Sequence, residues 1–230
     1  MDDPRDQQPT PRARPIFPPA RRLVDLRRER PGDTEIRSIL GRAAIEVAGR
    51  DGYPGVTVDG IVERSGVSRP VFYRLFTDRE DCYLHGYSEL APVLVETLLE
   101  MCAEAASWRD GVLAALQRFD SFIHAELDLA CGLIAEVRGA GPPTLAIRGR
   151  LAAELAAGLE HAAREAPDVS PPPSAAEFVL AAIESTAIGA LARRDPGEFT
   201  ANIDGLAFLA YVTLLGEQPP SLGRPDAGPD

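Results

Sequence analysis

Lysine is missing altogether, and all 24 basic residues of the chain are arginine. With plentiful alanine, glycine and proline, that absence reads as the codon bias of a GC-rich genome rather than as chemistry. Cysteine is scarce. Cys82, Cys102 and Cys131 stand far apart, which excludes both a disulfide framework and a paired-thiol zinc site. Long apolar runs are lacking as well: the longest uncharged stretch, Gly205 to Gly216, has twelve residues. A membrane-spanning helix needs about 20. The opening MDDPRDQQ has no apolar signal region, so the expected location is the cytoplasm, with no membrane partner. Disorder throughout is excluded, because 45% of the 230 residues are hydrophobic and can bury a sizeable core.

Charge is unevenly spread. Residues 1–90 hold 15 arginines against 15 acids, whereas residues 91–230 hold 9 against 20, which accounts for the net −11. Within the first part, positions 12–30 carry seven arginines and two acids. A polyanion would be repelled by the back of the chain but not by its front.

Proline marks the ends, with seven of 21 in the first 32 residues and four in the last twelve. Residues 1–32 are therefore expected to form a disordered basic arm and residues 217–230 a disordered tail. Between them the pattern is helix after helix, without sustained period-2 alternation, so the fold class is all-α. Asp33 or Thr34 caps a first helix carrying Ile36, Leu40, Ala43 and Val47, which Gly49, Gly52, Pro54 and Gly55 end. Thr57 caps a short second helix. A Ser65-Gly66-Val67 turn follows, then Ser68 caps a third helix with Pro70 in its first turn, where a missing N–H costs nothing. A long helix begins near Arg79, with a stripe of Leu84, Tyr87, Ala91, Leu94, Leu98 and Met101; Pro92 falls inside it and predicts a kink or break. Further helices are expected over Trp108 to Ala125, Leu127 to Arg138, Pro143 to Arg164, Ser174 to Arg194 and Glu198 to Leu215.

Two short helices joined by a tight glycine-containing turn, behind a packing helix, make a helix-turn-helix. Thr57 and Ser68 stand at helix N-termini, where free N–H groups and the positive dipole end favour phosphate. Arg69 and Arg74 lie on the second helix within reach of base edges or phosphates, with the Tyr73 hydroxyl between them. The run TVDGIVERSGVSRPVFYRLFTDRED, Thr57 to Asp81, resembles the signature of the tetracycline-repressor-type transcriptional regulators. The specific resemblance covers about residues 34–90. It implies phosphate contacts at Thr57, Ser68, Tyr73 and Arg79, and base reading at Arg69, Pro70 and Val71. Leu75 stands where the family often has His, Arg79 where Lys is usual, and Pro70 where Gly is commoner. The basic arm either adds phosphate or minor-groove contacts or is a solvated linker, the second reading being slightly favoured.

The resemblance further implies a DNA-binding domain over residues 33–78 and a helical effector-binding and dimerisation domain over residues 79–216. The expected protein is a homodimeric regulator, a repressor released by a small molecule from a double-stranded operator that is an approximate inverted repeat. Ala182, Ser185 and Gly189 form a small-residue stripe suited to a dimer contact. On the last helix Ile203, Leu206, Ala210 and Leu214 cover one face, assigned to the dimer, while Phe208, Val212 and Leu215 cover another. Trp108, Phe119, Phe122, Phe178 and Tyr211 are candidates to line an effector pocket, with His124 and Glu184 as polar handles. Cys82, His85 and Glu89 share a helix face but lack a fourth ligand, so no metal site is assigned. No phosphate loop, nucleophile motif or carboxylate pair argues for catalysis, and no cofactor is expected. The competing reading is a helical small-molecule-binding or enzymatic protein with a vestigial helix-turn-helix.

Overall fold

The computed structural model describes residues 15–19, 31–164 and 171–215. Among them every regular element is helical. The expected tail, residues 217–230, lies outside the described residues, as does most of the expected arm.

Helix α1 (Asp33–Asp51) is the central strut, with Leu40, Ala44, Ile45 and Ala48 fully buried. Its cap position is Gly32 rather than Asp33 or Thr34, and Asp33 and Glu35 instead place negative charge in the first turn, where the dipole favours it. A 3₁₀ turn at Tyr53–Gly55 leads into α2 (Val58–Ser65), where Thr57 Oγ1 accepts the N–H of Gly60. Gly66, left-handed at φ 72°, ends α2 and swings the chain into α3 (Arg69–Leu75). Asp78 then accepts two N–H groups and starts α4 (Arg79–Glu104). Its 26 residues span about 39 Å, and the helix runs unbroken through Pro92.

Helix α5 (Trp108–Ala125) returns along α4 and is followed by α6 (Leu127–Ala130). The helix expected to continue to Arg138 does not stay regular. It widens to a π turn at Cys131–Ala135 and tightens to a 3₁₀ turn at Glu136–Gly139. The buried Tyr83 hydroxyl donates to the Gly132 carbonyl at 2.7 Å, a side chain inserted where the helical ladder is disturbed. Helices α7 (Pro142–Arg164) and α8 (Ala175–Ala192) complete the wall of the bundle.

The single last helix expected from Glu198 onward is two: α9 (Pro196–Thr200) and α10 (Ile203–Leu215). At the break, Asn202 donates its side-chain amide to the Glu198 carbonyl, the competition with the backbone that makes asparagine a poor helix interior.

One continuous core runs from Phe17 to Leu214, crossing the expected boundary between residues 78 and 79. Phe17 corrects the arm expectation for its own segment. It is 2% exposed, packs edge-on against Phe122, and the next residue, Pro18, accepts a hydrogen bond from Arg42. Close backbone-to-backbone crossings join the front of the molecule to the rest. A Cβ on Gly86 of α4 would lie 2.3 Å from the Gly41 carbonyl oxygen of α1, and one on Gly132 would lie 2.1 Å from that of Ile45.

Candidate nucleic-acid interface and effector cavity

The outer surface of α2 and α3 presents Thr57, Ser68, Arg69, Pro70, Tyr73 and Arg74 to solvent, while Phe72 and Phe76 anchor α3 from beneath. Helix α3 is thus held by two buried rings and shows its polar side outward. Tyr73 is 52% exposed, with the Arg69 guanidinium 5.8 Å from its ring. Arg69 pairs with Asp59 at 2.8 Å and Arg74 with Asp33 at 2.6 Å, holding the Asp33 carboxyl below the usual carboxylate range. Exposed pairs of this kind are screened by water and contribute little, so a phosphate can replace the carboxylate. Ser68 occupies the α3 cap position without a side-chain bond there. Val71 is half-buried against the core.

Arg79 is placed differently from the other expected contacts. It donates to the carbonyls of Pro54 and Val56 and lies over the Tyr53 ring, so its guanidinium ties down the turn that precedes Thr57. Behind α3, Arg37 holds the Leu75 carbonyl and covers Phe76, and His85 packs on the same ring at 5.3 Å. Burial holds His85 below its ordinary pKa, and its Nε2 stands 3.3 Å from Glu89 without a properly directed hydrogen bond.

Behind this head lies a cavity of about 470 Å³ lined by α4, α5, the π turn, α7 and α8. Such a volume suits a small organic ligand. Leu94, Leu98, Leu116, Leu133, Leu151 and Leu159 supply much of its wall. Tyr87, Arg148 and Glu184 form one polar group, in which Arg148 Nε donates to Glu184 at 3.1 Å and Arg138 approaches Glu184 at 3.6 Å. Burial raises the Tyr87 pKa to about 12, so its hydroxyl stays neutral.

Of the seven side chains expected to line a pocket, Phe119 and Glu184 do so. The other five are elsewhere. Trp108 and Tyr211 meet edge-to-face at 5.6 Å, and the Tyr211 hydroxyl is spent on the Arg109 carbonyl. Phe122 packs on Phe17, His124 faces solvent beside Asp120, and Phe178 is 69% exposed. The cavity wall was signalled by the aliphatic stripe of α4, since Tyr87, Ala91, Leu94 and Leu98 all belong to it.

The face of α10 assigned to a dimer is also corrected. Ile203, Leu206, Ala210 and Leu214 are buried within the protomer, whereas Phe208 is 68% exposed and Leu209 and Val212 lie open beside it. On α8, Ser185 is exposed and Ala182 and Gly189 are half-buried. By length and composition alone α8 resembles a membrane span, but it packs against α7, α9 and α10 within the bundle.

Among the described residues the fold is all-helical, with an exposed helix-turn-helix ahead of a cavity-bearing bundle, an arrangement suited to binding DNA. Residues 40–85 match the family model of the bacterial regulatory proteins of the tetR family. No curated protein matches the chain. Solved structures share its fold. The transcriptional regulator FadR from Bacillus subtilis, in complex with stearoyl-CoA, is 18% identical, with 74% of this chain and 95% of that one covered at a TM-score of 0.64. Reduced NemR from E. coli is 18% identical over 80% of this chain and 100% of that one, at 0.61. A transcriptional regulator from Rhodococcus sp. Rha1 is 23% identical over 79% and 97%, at 0.60.

Proposed function

We propose that the chain is a cytoplasmic, homodimeric repressor that leaves its operator when a small molecule enters the cavity. Its role is regulatory, not catalytic. The observation that carries this reading is the direct mechanical path between cavity and reading head. Tyr87, in the polar group of the cavity, stacks on Tyr83, and Tyr83 meets Tyr53 edge-on at 4.9 Å. Tyr53 opens the turn that delivers Thr57 and α2. Helix α4 belongs to both ends of this path: its first residue holds the turn and its middle forms the cavity wall. The FadR structure, solved with stearoyl-CoA bound, supports a ligand-binding role for the helical domain.

In this reading Thr57, Ser68 and Tyr73 hold phosphates, Arg69, Pro70 and Val71 read bases, and Arg74 serves either use. Arg79 acts by fixing the turn. The partner protomer packs on the exposed faces of α8 and α10. Movement of α4 on ligand entry changes the separation of the two α3 helices; a hundredfold loss of DNA affinity needs a coupling of only about 2.7 kcal/mol.

An electrophoretic shift with the DNA flanking the chain's own gene tests this, and absence of any shift would support the vestigial alternative. Tyr73→Phe removes one phosphate hydrogen bond and is expected to weaken binding to all sequences alike. Arg69→Ala is expected to cost about 1–3 kcal/mol at particular base pairs. Equal losses on operator and random DNA would remove the base-reading role from Arg69.

A further inference from the structure

We propose that the cavity takes a single-chain aliphatic molecule with an anionic head, bound at Arg148 in place of Glu184 and hydrogen-bonded by the Tyr87 hydroxyl. The inference rests on the reading of this cavity as the effector site and adds the chemistry of the effector.

The shape sets the tail. Lining residues run along α4 from Tyr87 to Cys102, sixteen residues or about 22 Å of helix. The wall facing that length is leucine, valine and alanine from α4, α5 and α7, which rewards an apolar chain and leaves its polar atoms no partner. Tyr87 lies within electrostatic reach of Arg148 and Glu184, so these three lining residues form one polar group. Tyr87 is 4% exposed, lines the cavity, and among the described residues nothing bonds its hydroxyl. A neutral phenol there offers a donor to an acceptor on the ligand.

The ion pair sets the sign of the head. Arg148 reaches Glu184 through both Nε and Nη2, and Glu184 is its one ion-pair partner among the described residues. Glu184 has two such partners, since Arg138 approaches its other oxygen. An anion that captures Arg148 therefore leaves Glu184 still paired with Arg138. A cation that captured Glu184 would strand Arg148, half-buried and without a counter-ion, which is the costlier exchange. Glu177, two turns away on α8, is exposed and solvated.

The test is calorimetric titration of the full chain with decanoate, decyl phosphate, decan-1-ol and decylamine, each below its micellar concentration. At least one anion is expected to bind about tenfold or more tighter than the alcohol, because only the anions bring a charge of their own to pair with Arg148. The better of the two tells a carboxylate from a phosphate head. Arg148→Gln is expected to bring the anion down to the alcohol's affinity, and Arg148→Lys to keep part of the difference; circular dichroism checks that both variants fold. Equal binding of alcohol and anion, or preference for decylamine, would overturn the anionic head. An Ala115→Trp variant, which fills the cavity, separates the two readings. If decanoate bound it as tightly as wild type, the cavity itself would not be the binding site, and both readings would fall.

Discussion

Phe208→Glu is expected to convert the proposed dimer to monomers and to lower operator affinity by roughly a hundredfold or more, because the second half-site then binds as a separate event. Phe208 and Phe178 are the most exposed large apolar side chains of the chain's described residues, and they stand on α10 and α8, which pack together. A two-fold interface uses each twice. Burying a phenylalanine contributes about 1.5–3 kcal/mol, so four rings supply much of what such a dimer needs, and a carboxylate placed among them reverses the sign. Sedimentation reads the result directly. Ala210 and Leu214 are fully buried inside the protomer, so substitutions there should lower the melting temperature rather than the oligomeric state. A Phe208→Glu protein that sedimented as wild type would move the dimer contact to another surface.

The second large effect is expected at the crossing of α1 and α4. Gly86→Val places a Cβ 2.3 Å from the Gly41 carbonyl oxygen and within 3 Å of its Cα. The neighbours are backbone, so neither helix can yield by a rotamer change, and overpacking of this kind costs about 3 kcal/mol or more. For a chain of this size that lowers the melting temperature by on the order of 10 °C. Gly149→Ala gives the opposite sign. It lies within α7 with nothing inside 4 Å of its Cβ position, so alanine is expected to add about 0.5–1 kcal/mol through helix propensity. Thermal melts of both variants check the pair, and a Gly86→Val protein as stable as wild type would mean the helices do not meet there.

These two effects also mark where sequence reading stops. Helix starts were partly legible from short-range chemistry: Thr57 caps through its side chain, Gly66 takes the left-handed position and Pro70 sits in a first turn, whereas α1 is capped at Gly32 and Ser68 makes no side-chain cap bond. The exposed surface of α2 and α3 was legible for the same reason, since its residues occupy fixed places on two short helices. What failed was the choice of side for helices that are apolar all round. α10 offers Leu206, Ala210 and Leu214 on one face and Phe208 and Val212 on another, and only its docking on α5 and α8 decides which is buried. The pocket misassignment has a similar cause. Aromatic rings attract attention, yet this cavity is a gap between leucine and alanine stripes, and a stripe reads the same whether its neighbour touches it or stands a ligand's width away. Arg148 meets Glu184 across 36 positions, and Gly41 meets Gly86 across 45, separations that no local periodicity encodes.

The most direct measurement is footprinting of the wild-type chain on the DNA flanking its own gene. Two protected half-sites related as an approximate inverted repeat, with centres about 34 Å or a multiple of that apart, are expected from a dimer that presents two α3 helices. The anion that binds at Arg148 should erase both footprints together. Protection of one isolated half-site by a monomer, or protection indifferent to sequence, would contradict a two-fold, operator-reading repressor.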